Sequence, residues 1–243
     1  MSMLRRWSVS EVGTIIVLLV VLSVAFALLP GRRQPDVRRL KNNARMRSIH
    51  QAMVGYGAGN RDFSPGLDSR GQVVPDGEDT NFSGDGLTLE GRFAIMFKSK
   101  LLSPESVISP LKTERGRRPW DPGDDGATPV TDENYSYALL AIDSSTRRAE
   151  WDSERLNNRA LLVCDRNTGA GTGTDPSKPD HAASLHDRKL WQGSTVWNDG
   201  HTEYLDSQIV PQTQYGDAAP NTDDSIFEAA GPNDAWMIHE TPR

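Results

Sequence analysis

Val12 to Leu29 is an unbroken apolar run whose only weakly polar members are Gly13, Thr14 and Ser23. As a helix, about 18 residues span about 27 Å, just enough to cross the hydrocarbon core of a bilayer. The rival reading is a secretory signal, whose apolar region is normally shorter and is followed by a small-x-small cleavage site. Here the run ends in Leu28-Leu29-Pro30-Gly31-Arg32, which offers no such site. A retained anchor over 12–30 is therefore expected, behind a basic leader-like segment over 1–11.

One charge sits at the mouth of this run, Glu11. Two readings stand side by side. Ser8-Val-Ser-Glu11 has the spacing of a capping box, in which Ser8 accepts from the backbone and Glu11 reaches back, stabilising the helix start by about 1 kcal/mol. Alternatively, a carboxylate at the margin of a membrane segment is a functional group, available to an amine on a neighbouring subunit.

The net charge of −6 is unevenly spread. Arg5, Arg6, Arg32, Arg33, Arg38, Arg39, Lys41, Arg45 and Arg47 crowd the first fifth of the chain, leaving the remainder acidic. An acidic remainder argues against nucleic acid as a partner, and a basic cluster beside an apolar segment suits anionic lipid headgroups. Counted by basic residues alone, the domain after the run would face the cytoplasm. Hydrophobic residues make up only 36% of the chain, with 21 glycines and 15 prolines, so a small core under long loops is expected.

Past Pro30, Met46, Ile49, Met53 and Tyr56 fall at helical spacing, with Arg39, Asn43, Arg47 and Gln51 on other faces. This predicts an emergent amphipathic helix over 31–59, bent at Pro30-Gly31, that lays its apolar stripe on the C-terminal domain and ends at Gly55, Gly57 and Gly59. Asn60 to Leu87 is loop-like. "LTLEGRFAIMFKSKLL" predicts a short helix, then a turn at Ser103-Pro104 and an extended piece. "YSYALLAI" and "RALLVCD" predict strands, the second buried on both sides. "GSTVWNDGHTEYL" predicts two short strands around Asp199-Gly200, the strongest hairpin signal in the chain. The tail from Asp206 reads as polar, with isolated apolar anchors at Ile226, Phe227 and Trp236. The fold class is α+β, a long helix followed by a small antiparallel sheet.

The order of these pieces carries a resemblance. "RR-WSVSE-VGTIIVLLVVLSVAFALLP" resembles the N-terminus of type IV pilins and type II secretion pseudopilins, in which a peptidase cuts before an aromatic residue and glutamate stands fifth in the mature chain. Trp7 and Glu11 match those two places. "KNNARMRSIHQAMVGYG" resembles the family's helix after the membrane. "LLVCDRN", then His186, then "VWNDGHTEYL" resembles the C-terminal motif of its pseudopilin-like branch, a histidine preceding an Asp-Gly hairpin. The resemblance implies a single-pass protein of a bacterial inner membrane whose residues 60–243 form an exported, periplasmic, pilin-like, β-rich domain. It implies a structural or assembly role in a type II secretion or type IV pilus-like system, with other pilin-like subunits or secretion-machinery proteins as partners. The alternative is a scaffold or ligand-binding protein that kept the shape without polymerising. Arg6 stands where the family has glycine before the cut, so the bond between Arg6 and Trp7 is expected to remain uncut. Leu40 and Ser109 stand where relatives often have cysteines.

No enzymatic activity is expected. Cys164, the sole cysteine, lies in a predicted buried strand, where a thiol is ordinarily inert packing. His181, His186, Asp199 and His201 lack the tight pairing of zinc sites. Asp199 reads as the residue before the turn glycine Gly200, and His186 as a side chain bonding across the turn. No cofactor is expected. Calcium is the one candidate ion, at Asp121, Asp124 and Asp125 of "DPGDDG", which lacks the regular alternation and the distal glutamate of a calcium loop. Some pseudopilins bind calcium in such a loop.

Overall fold

Met46, Ile49, Ala52 and Met53 are fully or almost fully buried along one side of a 27-residue helix, α1, Arg33–Gly59. The computed structural model describes residues 18–19, 33–74, 87–111, 114, 116–123, 128–151, 157–167, 191–228 and 231–238. Met1–Arg38 and Arg39–Arg243 are separate compact units, and the shared core belongs to the second. Among the described residues no helix is long and apolar enough to cross a membrane. The run over 12–30 lies outside them apart from Leu18 and Leu19, as does the bend at Pro30-Gly31.

The helix departs from simple amphipathicity. Its inner side also buries Asn42 and His50, while Leu40 (69% exposed) and Val54 (50% exposed) face outward. Tyr56 is only half-buried, its hydroxyl 3.5 Å from the Leu67 carbonyl. The inner side is thus part apolar and part polar, and apolar residues occur on both sides.

A second helix, α2, Leu89–Lys98, starts where Thr88 Oγ1 accepts from the Gly91 N–H at 3.1 Å. It ends with Lys100 in left-handed backbone, φ +56°, while the Lys100 and Leu101 N–H groups return to the Phe97 and Met96 carbonyls. Its buried side stacks Phe93 on Tyr135 and Phe97 on Trp120, with centroids 5.1 and 5.5 Å apart. Arg92 is fully buried on this helix, donating to the Pro65 and Leu140 carbonyls and to Ser64 Oγ. Burial pushes its guanidinium down to about 9, which leaves it charged at neutral pH. Past Ser103 the chain makes a 3-10 turn, Pro104–Val107, and then extends.

Five strands form one sheet: β1 Tyr137–Leu140, β2 Leu161–Asp165, β3 Gly193–Trp197, β4 Thr202–Leu205 and a short β7 Met237–Ile238. Their order is β4-β3-β2-β1-β7, every pairing antiparallel. All residues of β1, β2 and β3 are buried. They share one core with the inner face of α1, the aromatic residues of α2, Trp191 and Phe227. The protein is α+β with an antiparallel sheet.

The tail differs from its sequence reading. Residues after Asp206 build a two-stranded ribbon, β5 Ile209–Thr213 with β6 Asn221–Ser225, and then return as β7 to pair with β1. β6, Asn-Thr-Asp-Asp-Ser, has no apolar alternation to reveal a strand. Its backbone ladder with β5 holds it, and Asp224 adds side-chain bonds, accepting from Thr213 Oγ1 and from the Ala235 N–H. Ile226 and Phe227 are buried anchors as expected, whereas Trp236 is half-buried.

Candidate functional site

The hairpin joining β3 to β4 is where the sequence motif meets the long helix. The Trp197 N–H donates to the His201 carbonyl at 3.1 Å and the Gly200 N–H to the Trp197 carbonyl at 2.9 Å. The loop is therefore Asn198-Asp199-Gly200, with its third residue left-handed at φ +81°. That geometry suits the right-handed twist of the flanking strands and is open to glycine at little cost.

Each residue of the loop is fixed by a different neighbour. Asn198 is buried, and its amide donates to Glu150 Oε1 at 2.6 Å. Glu150, also buried, accepts on its other oxygen from Asn157 and from the Gly216 N–H. Glu150 follows a short helix, α3, Ser145–Ala149, so one buried carboxylate ties that helix to the hairpin and to the chain after β5. The Asn198 carbonyl faces His50 Nε2 of α1 at 3.1 Å. A carbonyl can only accept, so this nitrogen carries the proton. Burial holds the His50 imidazole below its ordinary value, against the opposing pull of the Asn198 carbonyl and the Asp199 charge.

Asp199 Oδ1 accepts from the His201 N–H at 3.0 Å and from His201 Nδ1 at 2.5 Å. Burial alone would raise this carboxyl. The His201 backbone and ring bonds, with the nearby histidines, outweigh burial and hold it below the usual carboxylate range. The His201 ring lies parallel to Trp197, centroids 5.6 Å apart, with 43% of its side chain exposed. Beside the hairpin, the Arg39 guanidinium of α1 sits 4.2 Å over the Tyr204 ring of β4.

A second polar junction fastens α1 lower down. Asn42 Nδ2 donates to Asp165 Oδ1 at 2.8 Å, while its Oδ1 accepts from Tyr137 and Ser109 at 2.9 and 2.7 Å. Asp165 Oδ2 accepts from the Ser194 N–H. Arg45 reaches the Ile108 carbonyl. The helix is thus bonded to β1, to β2 and to the segment after the 3-10 turn, and Asp165 extends the junction to β3.

No protein-family model, curated protein or solved structure matches this chain.

Of the residues singled out in the sequence, Asp199, Gly200 and His201 come together at the hairpin. Arg6, Trp7, Glu11 and His186 lie outside the described residues, as do Asp124 and Asp125. Asp121 is exposed and accepts from the Gly123 N–H at 3.0 Å, closing its own turn. Among the described residues no cluster of histidine, cysteine and carboxylate has the geometry of a metal site. Cys164 is fully buried in β2, where burial pushes its thiol well above the ordinary value and away from the nucleophilic thiolate.

Sequence reasoning missed His50, Asn42, Glu150 and Asn198. Nothing in one sequence announces a polar residue that is buried through partners a hundred positions away. His50 carried one usable signal, because it follows Ile49 and so borders the apolar stripe. The chemistry assembled here is a set of hydrogen bonds that fixes a hairpin on a helix.

Proposed function

We propose that this chain is a membrane-anchored structural or assembly protein with a pilin-like domain. It would act in a type II secretion or type IV pilus-like system of a bacterial inner membrane, with its domain on the periplasmic side. The observation that carries this reading is α1. It follows the apolar run closely in sequence, buries Met46, Ile49, Ala52 and Met53 in the core of an antiparallel sheet, and leaves Leu40, Ala44 and Val54 exposed elsewhere around its circumference. A helix so placed gives its inner side to its own domain and keeps apolar side chains for neighbours. The Asp199-Gly200 hairpin, bonded to the same helix through His50, supports the reading because it is the C-terminal part of the resemblance.

A photoreactive residue placed at Leu40 or Val54 in the native membrane tests it. Adducts with further copies, or with chains bearing the same aromatic, three residues and glutamate ahead of an apolar run, are expected. Absence of adducts at both positions would remove the assembly role.

Arg6 favours a second form of the same reading, an anchored scaffold that does not polymerise. A long cation stands where the cutting enzyme's family of substrates has no side chain. An uncut chain has no free Trp7 amine to offer the Glu11 of a neighbour, and drawing Arg5 and Arg6 through a bilayer costs several kcal/mol.

A further inference from the structure

Among aspartyl dipeptides, Asp-Gly is the best disposed to succinimide chemistry, because glycine places no side chain in the way of ring closure. The Gly200 amide nitrogen attacks Cγ of Asp199, forming a C–N bond and losing its proton. The carboxyl oxygen leaves as water. Water then opens the ring at either carbonyl, giving aspartate or isoaspartate with no net change in composition and no oxidant or reductant. Closure needs three things: a free Gly200 N–H, a carboxyl able to take up a proton, and freedom for Cγ to swing onto the nitrogen.

Each of these is withdrawn at this hairpin. The Gly200 N–H is committed to the Trp197 carbonyl at 2.9 Å. The Asp199 carboxylate is engaged through Oδ1 by two donors of His201, so movement of Cγ onto the Gly200 nitrogen competes with both bonds. The His201 ring is itself fixed by stacking on buried Trp197, so the donor cannot drift. The hydrogen bonds that hold the carboxylate ionised also keep its oxygen from taking up the proton it needs to leave as water. Yet the residue is not sealed from water, since 27% of its side chain is exposed. The site is therefore guarded by geometry and not by exclusion of solvent.

We propose that Asp199-Gly200 is a latent isomerisation site which the folded hairpin holds shut, with His201 as the guarding residue. An isoaspartate here routes the main chain through the side chain and lengthens the loop by one methylene. That removes the Gly200–Trp197 bond and the alignment of Asn198 with His50 and Glu150. Any event that opens the hairpin thereby becomes permanent.

The test is to age the full-length protein in detergent for weeks in mildly acidic buffer, and to locate isoaspartate by methyltransferase labelling and mass spectrometry. Samples are folded wild type, wild type in urea, and His201→Phe, which keeps a ring over Trp197 but loses Nδ1. His201→Gln is scored in place of His201→Phe if circular dichroism shows that the latter is unfolded. Folded wild type should isomerise at least about tenfold more slowly than the urea sample, the factor set by about 1.4 kcal/mol of local opening. The folded variant should move toward the urea rate. Equal rates for folded and urea-treated wild type would overturn the proposal whatever the variants do. A folded variant ageing as slowly as wild type would remove His201 from it.

Discussion

Gly200 shows how one backbone angle places a site. With φ at +81°, a side chain there meets the crowding that disfavours left-handed backbone, although the added Cβ itself would sit an ordinary 3.6 Å from His50. Gly200→Val should therefore cost about 1–2 kcal/mol through the backbone alone, read as a lowered urea midpoint. An unchanged midpoint would mean that the turn relaxes. Asn42 has larger consequences, since its amide serves Asp165, Tyr137 and Ser109 together. Asn42→Leu leaves a buried carboxylate and two hydroxyls short of partners and should cost roughly 3 kcal/mol. A loss below a tenth of that would show water replacing the amide. For His50, burial holds the folded imidazole below its unfolded value of 6.5. The unfolded chain thus takes up the proton first as pH falls, so this contribution is complete above 6.5 and is lost as pH falls from there toward the folded value. His50→Gln should flatten the stability profile across that window, and a profile unchanged in slope would contradict the assignment.

At the scale of elements, α1 and the hairpin are one assembly. Ile49 lies in the same core cluster as β1 and β2, so Ile49→Asp buries an unpaired carboxylate and should cost several kcal/mol. Melting like wild type would undo the packing account. This is also the scale at which the sequence was most informative. The stripe Met46-Ile49-Met53 identified the inner side of α1, continuous apolar runs identified β1 and β2, and Asp199-Gly200 identified the hairpin. Each of those signals is local, either a helical period or a turn chemistry. β6 and β7 left no such trace: β6 is a polar run paired with β5 and bonded through Asp224 to Thr213 and Ala235, and β7 is two residues paired with a strand about a hundred positions earlier. The junction of His50, Asn198 and Glu150 was hidden for the same reason: each polar residue looks like surface until its distant partner is in place. Exposed Val54 went unremarked, and Leu40 was noted only as standing where relatives often have a cysteine, because a stripe on one side of a helix draws the eye from single apolar residues on the other.

At the scale of the whole molecule, an apolar run precedes a domain whose long helix faces two ways. The intact mass of the protein, taken from the native membrane, should include Arg6, with no cut before Trp7, and a chain beginning at Trp7 would return it to the filament subunits. The distribution of charge makes a further demand. Basic residues gather in and around the start of α1, while the remainder of the chain is acidic, and a basic cluster beside an apolar run suits the proposed contact with anionic headgroups. The central proposal is that the chain is anchored by residues 12–30 with its domain exported. The most direct measurement is external protease digestion of spheroplasts, followed by an alkaline wash of their membranes. An anchored, exported chain stays with the washed membrane, and its domain after Gly59 is digested from outside without breaking the cells. A chain released by the wash, or a domain cut only after the membrane is opened, would contradict the claim.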